Sequence, residues 1–214
     1  MVIFKAVRIE LSQGAFVQNL PRFLPGAEAD AAFDALLQEL AWEQRQIVLF
    51  GKAIWQPRLV AWGGALPYRY SGQTLPPRAL TTTTAALLER VRRETDVPFN
   101  HVLANRYRDG NDSMGLHADA ETELGSQPVI ATLSLGASRR FRLVPRRKSA
   151  SGQAGAPPEQ AKTFELGHGG LLVMGGTCQR HYRHGIPREA GSVGERISLT
   201  FRHVVGAPAE TPGR

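Results

Sequence analysis

The sequence has a single cysteine, Cys178, and no long hydrophobic run. One cysteine excludes an internal disulfide and fits a reducing compartment. No stretch approaches the roughly 18 uninterrupted apolar residues of a membrane-spanning helix, and the first residues lack the apolar core of a secretory signal. We therefore expect a cytoplasmic protein without a membrane partner.

Acidic residues are outnumbered by basic ones. The 214-residue chain has 26 lysines and arginines against 19 aspartates and glutamates, a formal net charge of +7, and most of the basic residues are arginine. The planar guanidinium group matches the geometry of phosphate, which favours a polyanionic partner such as nucleic acid, although many basic proteins are merely soluble. The length and the 42% hydrophobic composition are those of one compact domain.

Two segments in the first half have the apolar spacing of amphipathic helices, residues 26–42 and residues 81–96. A threonine cluster offers an N-cap to the second segment. From about residue 99 the pattern changes to short apolar or alternating runs separated by glycine, proline and polar turns, which predict strands without helices between them. We therefore predict an α+β fold, with a jelly-roll core and N-terminal helices packed on one sheet.

We predict one domain over residues 1–205. Its helices and an accessory segment cover about residues 1–98, and its strand-rich core covers about residues 99–205. Composition predicts a mobile loop at residues 149–160 and a flexible tail at residues 206–214.

His117 and Asp119 form the first candidate site. On an extended strand, residues two apart project from the same face. Two histidines and one carboxylate are the ligands of many non-haem Fe(II) oxygenases. The candidates for the third ligand are His101, His168, His181, His184 and His203. We favour His184, which precedes a strand-ending Gly-Ile-Pro turn, although an H-x-D pair by itself is more often a hydrogen-bonded surface pair.

The last predicted strand, "RISLTFR" at residues 196–202, alternates apolar residues with polar ones. Arg196, Ser198, Thr200 and Arg202 share one face, and the backbones of the two arginines lie about 20 Å apart, so that their side chains could bracket a short dicarboxylate. Asn105 and Tyr107 share a face of another strand and could hydrogen-bond the same molecule. A solvated face for the arginines, and core or edge positions for the other two, are the alternatives.

Together these motifs resemble the AlkB family of Fe(II)- and 2-oxoglutarate-dependent dioxygenases, which oxidatively demethylate alkylated nucleic-acid bases. The motifs N-x-Y, H-x-D, H-x-[IL]-P and R-x-S-L-T-F-R follow in this order over roughly residues 45–204. The resemblance implies that Fe(II) is bound by His117, Asp119 and His184. It implies that 2-oxoglutarate is contacted by Asn105, Tyr107, Ser198, Arg196 and Arg202.

Within this set, Arg196 is expected at the distal carboxylate of 2-oxoglutarate and Arg202 nearer the metal-bound end. Many relatives have an asparagine where this chain has Ser198, so a weaker or water-mediated contact is expected there. Three protein ligands leave metal positions for 2-oxoglutarate and O2. Decarboxylation of the co-substrate to succinate then supplies the oxidant that hydroxylates an N-methyl group, with release of formaldehyde.

The resemblance is closest to the branch that repairs double-stranded DNA, with 1-methyladenine and 3-methylcytosine as substrates. An enzyme of this kind must flip its target base out of the duplex. The segment "VLFGK" at residues 48–52 resembles the finger of that branch, which implies that Phe50 fills the vacated stack. Phe50 and the nearby Trp55 could instead be ordinary core residues.

The segment "PYRYSG" at residues 67–72 resembles the nucleotide-recognition lid. The resemblance implies that Tyr70 stacks on the base opposite His117, that Tyr68 supports it, and that Glu121 reads the exocyclic amino group. Tyr70 could instead be an ordinary strand aromatic.

Contacts with the nucleic-acid backbone are expected from basic residues near these motifs. They are Arg146, Arg147 and Lys148, with Lys52, Arg58 and Arg108 as further candidates. After Pro187, where the duplex-repair branch has a basic run, this chain reads "REAGSV". The predicted partner is alkylated DNA, or RNA, bound by a monomer that associates with the nucleoid. The alternatives are the same chemistry on RNA, tRNA or protein, and a non-catalytic basic nucleic-acid-binding β domain.

Overall fold

The computed structural model describes residues 7–49, 51–70, 72–146 and 159–205. The helices in these ranges are α1 (Gly26–Glu39), α2 (Thr82–Thr95) and α3 (Cys178–His181). The first two confirm the predicted helices. At the start of α2 the Thr81 side chain accepts a 3.2 Å hydrogen bond from the Thr84 amide, as expected of an N-cap. α1 ends earlier than predicted because Leu40 has an extended backbone.

Strands make up most of the rest of the described chain. In chain order they are β1 (Val7–Glu10), β2 (Ala15–Leu20), β3 (Gln46–Leu49), β4 (Lys52–Trp55), β5 (Leu59–Gly64), β6 (Tyr68–Tyr70), β7 (Gln73–Leu75), β8 (His101–Tyr107), β9 (Met114–His117), β10 (Ile130–Gly136), β11 (Arg139–Pro145), β12 (Lys162–Leu166), β13 (Gly170–Gly176), β14 (Tyr182–Ile186) and β15 (Arg196–Arg202). The runs predicted from residue 99 onward all form strands. The expectation of no helix between them was wrong at one place, because the short helix α3 lies between β13 and β14.

Two sheets build the core. The major sheet has the order β1-β2-β13-β10-β15-β8-β5, and the minor sheet has the order β12-β11-β14-β9. Residues of both sheets, such as Leu103 and Met174 from the major and Phe141 and Ile186 from the minor, share one hydrophobic cluster. This face-to-face arrangement is the predicted double-stranded β-helix, or jelly roll.

The helices cover the other face of the major sheet. A second hydrophobic cluster joins Leu36 of α1 and Leu88 of α2 to Leu133 and Phe201 of the sheet. The predicted packing of the N-terminal helices on one sheet is thus confirmed. It leaves the inner faces of the two sheets free to hold a site.

Three strands of the major sheet, β1, β2 and β5, come from the part of the chain before residue 99. The pairs β3-β4 and β6-β7 form separate two-stranded hairpins. Within the described ranges, no helix is long and apolar enough to cross a membrane. The predicted tail at 206–214 and most of the predicted loop at 149–160 lie outside the described residues.

Candidate metal centre

His117, Asp119 and His184 converge at one end of the minor sheet. Their candidate ligand atoms all lie within 4.8 Å of one another. Among the described residues, these three form the group of histidine and acidic side chains that could hold a metal ion. Nε2 of His117 lies 3.7 Å from Oδ1 of Asp119, and Nε2 of His184 lies 3.9 Å from Oδ2. The cluster has the composition and the size of a metal site with two histidines and one carboxylate.

The pairing of β9 with β14 brings the two histidines together. His117 stands opposite His184 in the register, and their ring centroids are 4.3 Å apart. β9 ends at His117, so Asp119 lies in the following loop rather than on the predicted strand. Its carboxylate nevertheless faces the histidines, because the Asp119 amide donates a 3.0 Å hydrogen bond to the side chain of the buried Gln179.

Asp119 also has a buried cationic partner. Nη2 of Arg202 donates a 3.0 Å hydrogen bond to Oδ1 of Asp119, and both side chains are almost inaccessible to solvent. Burial opposes ionisation of the carboxyl group, but Arg202 and the two histidines hold its pKa at about 2. Asp119 is therefore an anion at neutral pH, as a metal ligand must be.

The two histidines are neutral at neutral pH. Burial, with a contribution from the neighbouring His117, lowers the pKa of His184 to about 3. Burial also lowers the pKa of His117. The ring of Phe141 stacks on that of His184 at a centroid distance of 5.4 Å, which fixes its orientation. Neutral imidazoles whose ring nitrogens lie this close to a carboxylate can coordinate a cation.

A cavity lies beside this cluster between the two sheets. Its lining includes the predicted co-substrate residues Asn105, Tyr107, Ser198 and Arg202, together with His117 and His184. Ser198 stands opposite Asn105 in the pairing of β15 with β8. The sequence left two alternatives for this face of β15, a solvated surface and a binding site. In the structure the face is buried, because Arg196, Ser198, Thr200 and Arg202 are all inaccessible to solvent or nearly so.

Arg196 lies at the far end of β15 from Arg202. Its Nε donates a 2.8 Å hydrogen bond to the Ser134 hydroxyl, and its Cζ lies 5.2 Å from the centre of the Tyr107 ring. Burial lowers the pKa of Arg196 to about 10. Its Nη1 and Nη2 are buried without a hydrogen-bond partner among the described residues. Two such donors predict an anionic partner, because a buried cation without one is costly.

Arg202 presents the same need at the metal end. Its Nε and Nη1 are buried without a described hydrogen-bond partner, and so is Oδ2 of Asp119. A cation beside Asp119 and a dicarboxylate extending from Arg202 to Arg196 would satisfy these atoms. The residues present therefore fit Fe(II) and 2-oxoglutarate.

The predicted lid residues lie close to the metal cluster but are buried. Tyr68 packs between His101, at a centroid distance of 4.9 Å, and Arg202, whose Cζ is 5.4 Å from the Tyr68 ring. Glu121 lies beside the Tyr68 hydroxyl, and burial raises the pKa of its carboxyl group. The roles of Tyr68, Tyr70 and Glu121 toward a base stay predictions.

Arg58 does not meet the expectation of a contact with backbone phosphate. It is only 5% exposed. Its guanidinium donates 2.7 Å hydrogen bonds to Oδ1 of Asn105 and to the hydroxyl of Tyr70. Arg108 forms an ion pair with the buried Asp112, but its side chain is 46% exposed, so its contact with the nucleic-acid backbone stays a prediction. Proximity in sequence to the motifs did not indicate which way Arg58 faces.

Of the remaining predicted nucleic-acid contacts, Arg146 is exposed. It directly follows β11 and borders a second cavity next to the loop that carries Asp119. Phe50, Arg147 and Lys148 lie outside the described residues. Sequence reasoning missed Gln179, which holds the Asp119 backbone. A glutamine in a turn carries no pattern that could have indicated it.

Comparison with known proteins agrees with this site. The model of the 2OG-Fe(II) oxygenase superfamily matches residues 16–202. A solved structure described as "The structure of OsALKBH1" superposes with a TM-score of 0.56 at 17% identity, covering 92% of this chain and 100% of that one. At this identity the superposition supports the fold alone.

Two curated relatives are more similar in sequence. The alpha-ketoglutarate-dependent dioxygenase alkB homolog 3 of Rattus norvegicus is 40% identical over 202 residues, which are 90% of this chain but only 65% of the rat protein. The DNA oxidative demethylase ALKBH2 of Mus musculus is 35% identical over 184 residues, 84% of this chain and 76% of the mouse protein. The chain therefore belongs to the 2OG-Fe(II) oxygenase superfamily and, within it, to the AlkB family.

Proposed function

We propose that the protein is an Fe(II)- and 2-oxoglutarate-dependent dioxygenase that removes methyl groups from alkylated bases of DNA, such as 1-methyladenine and 3-methylcytosine. The observation that carries this proposal is the juxtaposition of the His117–Asp119–His184 cluster with the unpartnered guanidinium donors of Arg196 and Arg202. Relatives named as DNA oxidative demethylases support the choice of substrate.

The chemistry comes from the bound groups: Fe(II), O2 and 2-oxoglutarate together oxidise an N-methyl group, yielding succinate, CO2 and formaldehyde. The protein supplies the geometry. Asp119 and the two neutral histidines hold the metal, while Arg202 fixes the Asp119 carboxylate and keeps it ionised. Arg196 anchors the far carboxylate of the co-substrate in a buried setting, where a charge-assisted hydrogen bond is strong.

The accessory segment and the loop after β9 would together line the substrate pocket. Tyr68 adjoins the metal cluster from the lid side, and Glu121 adjoins it from the loop that carries Asp119. A carboxylate there would accept a hydrogen bond from the exocyclic amino group of adenine or cytosine. The aromatic ring would limit access of water to the methyl group being oxidised.

The basic character of the chain supports a nucleic-acid substrate. In this proposal the protein acts as a monomer in the cytoplasm, on the DNA of the nucleoid. The same chemistry on RNA is the competing assignment, and it differs in the polymer rather than in the site.

The proposal is tested by incubating the iron-loaded protein with methylated and unmethylated oligonucleotides, as single-stranded DNA, double-stranded DNA and RNA. We expect formaldehyde and succinate in equal amounts from methylated DNA, dependent on added 2-oxoglutarate. Faster release from RNA would reassign the substrate. Succinate without formaldehyde from any methylated polymer would refute demethylation of nucleic acid.

A further inference from the structure

A second cavity, of about 490 Å³, opens beside the loop that carries Asp119. Its lining residues are Ala120, Glu121, Thr122, Gly125, Ser126, Pro128, Arg146, Gln179 and Arg180. We call it the basic groove, after its two arginines. The sequence predicted Arg146 as a contact with the nucleic-acid backbone, but it did not predict the groove or Arg180, because the walls come from three separate segments.

Backbone contacts define the position of the two arginines. The Arg146 amide at the end of β11 donates a 2.7 Å hydrogen bond to the carbonyl of His181, the residue after Arg180. The end of the strand and the α3 turn therefore lie side by side. Their arginines border the same groove.

Both arginines are exposed, and neither has an acidic partner within the part of the chain that the structure describes. Among the described residues, no carboxylate lies within 4 Å of either guanidinium, whereas many other arginines of the chain form ion pairs. The one carboxylate in the lining, Glu121, adjoins Tyr68 on the side of the metal cluster. Among the described residues, the groove thus combines two positive charges that lack an acidic partner with the Ser126 hydroxyl, whereas the Thr122 hydroxyl donates a 3.1 Å hydrogen bond to Glu123. Guanidinium and hydroxyl donors suit a phosphodiester.

The groove is continuous with the proposed catalytic site. Gln179 forms part of its lining and accepts the hydrogen bond from the Asp119 amide. Glu121 belongs to both the groove and the lid side of the metal cluster. A strand whose target base reached the metal would therefore pass its neighbouring phosphates along this groove.

We propose that the basic groove binds the phosphodiester backbone of the strand that carries the target base, with Arg146 and Arg180 each neutralising a phosphate close to the flipped nucleotide. This inference rests on the proposed function for the identity of the strand. The exposed Arg183 extends the positive surface. It stands opposite Val144 in the pairing of β11 with β14, and Val144 lies two residues before Arg146.

The test compares Arg180→Ala and Arg146→Ala with Arg93→Ala. Arg93 is a matched control, because it is an exposed arginine of α2 without a described ion pair, and its loss changes the net charge equally. Binding of an unmethylated single strand of about 15 nucleotides is measured by fluorescence anisotropy at several salt concentrations. Each groove variant should weaken binding about three- to tenfold and flatten the slope of log K against log salt by about 0.7.

Arg180→Lys should restore most of the slope, because it restores the charge, and melting temperatures confirm that the variants are folded. Groove variants that bind like Arg93→Ala would overturn the inference. Formaldehyde release by the unsubstituted protein is measured in parallel. If the groove variants lose binding but the unsubstituted protein releases no formaldehyde, the groove assignment stands and the proposed function is refuted. If the unsubstituted protein releases formaldehyde but the groove variants bind normally, the proposed function stands and the groove assignment is refuted.

Discussion

The Nε of Arg58 donates a 2.7 Å hydrogen bond to Oδ1 of Asn105, across 47 positions of sequence. The Nη2 of the same guanidinium donates to the Tyr70 hydroxyl, also at 2.7 Å. One buried side chain therefore connects the co-substrate cavity to the proposed lid. Because neither acceptor can move without leaving a buried donor unpaired, the two regions are expected to respond together to changes at Arg58.

Replacing Arg58 with alanine should impair both 2-oxoglutarate and oligonucleotide use. The free energy of unfolding should fall by about 1–3 kcal/mol, because buried polar partners are left unpaired. Steady-state kinetics in each substrate and urea denaturation measure these effects. Tyr70→Phe is the control, since it retains the ring and the Asn105 bond and should affect the oligonucleotide KM alone. An Arg58→Ala protein with reduced stability but unchanged KM values would show that the connection is only structural.

Asp119→Asn should prevent iron binding with a modest effect on stability. Asparagine retains a hydrogen-bond acceptor for Arg202 but removes the anionic ligand. Asp119→Ala should in addition lower the free energy of unfolding by about 3–5 kcal/mol, because it leaves a buried guanidinium uncompensated. Iron content after desalting and urea denaturation separate the two effects. Stoichiometric iron in Asp119→Asn would remove Asp119 from the ligand set.

Arg196→Ala should raise the 2-oxoglutarate KM by about 10- to 150-fold, the equivalent of about 1.5–3 kcal/mol for a hydrogen bond to a charged group. The KM for the oligonucleotide should change little, because Arg196 lies inside the fold rather than on its surface. Kinetics with each substrate varied in turn give the comparison, and a melting curve checks the fold. Parallel increases in both values would contradict the assignment of Arg196 to the distal carboxylate.

The exposure of the β3-β4 hairpin bears on the hypothesis that Phe50 fills the stack vacated by a flipped base. The hairpin is paired with neither main sheet, and most of its described side chains are exposed: Val48 is 69% and Trp55 is 58% accessible, while Ile47 is half-buried. Trp55 is therefore not a core residue. Exposed apolar groups on a projecting hairpin suit insertion into a base stack.

Phe50→Ala should accordingly slow demethylation of duplex DNA more than of the same lesion in a single strand, since only the duplex requires base flipping. Matched kinetics on the two substrates and a melting curve decide the point. Equal losses with a lowered melting temperature would place Phe50 in the core.

His101 should make the protein less stable in mild acid. Burial, followed by repulsion from Arg202, lowers its pKa from 6.5 to about 3. Below about pH 6.5 the unfolded chain therefore binds a proton that the folded chain does not, so stability present at neutral pH is lost as the pH falls toward 3. The expected slope is up to about 1.4 kcal/mol per pH unit from this residue.

His101→Phe is the matching variant, because both ring nitrogens of His101 lack a hydrogen-bond partner among the described residues and its ring packs on Tyr68. Urea denaturation of the metal-free proteins between pH 7 and about pH 5 should show a smaller decline for His101→Phe than for the unsubstituted protein. Identical pH profiles would show that His101 titrates normally in the folded protein.

Local periodicity determined much of this protein in advance. The two N-terminal helices, the strands from residue 99 onward, and the shared face of Arg196, Ser198 and Arg202 follow from repeats of 3.6 or 2 residues. The N-terminal strands were harder to predict, because β1, β2 and β5 depend on neighbours in the major sheet that lie far away in sequence.

Only the tertiary structure decided which residues meet. The sequence favoured His184 as the third ligand, but only the register of β9 with β14 sets it opposite His117. Packing likewise buried Arg58 inside the fold and placed Arg180 beside Arg146 in one groove. The physical reason is that the direction of a side chain along a strand is a local property of the backbone. The identity of the neighbouring strand depends instead on packing between distant segments, which no short stretch of sequence encodes.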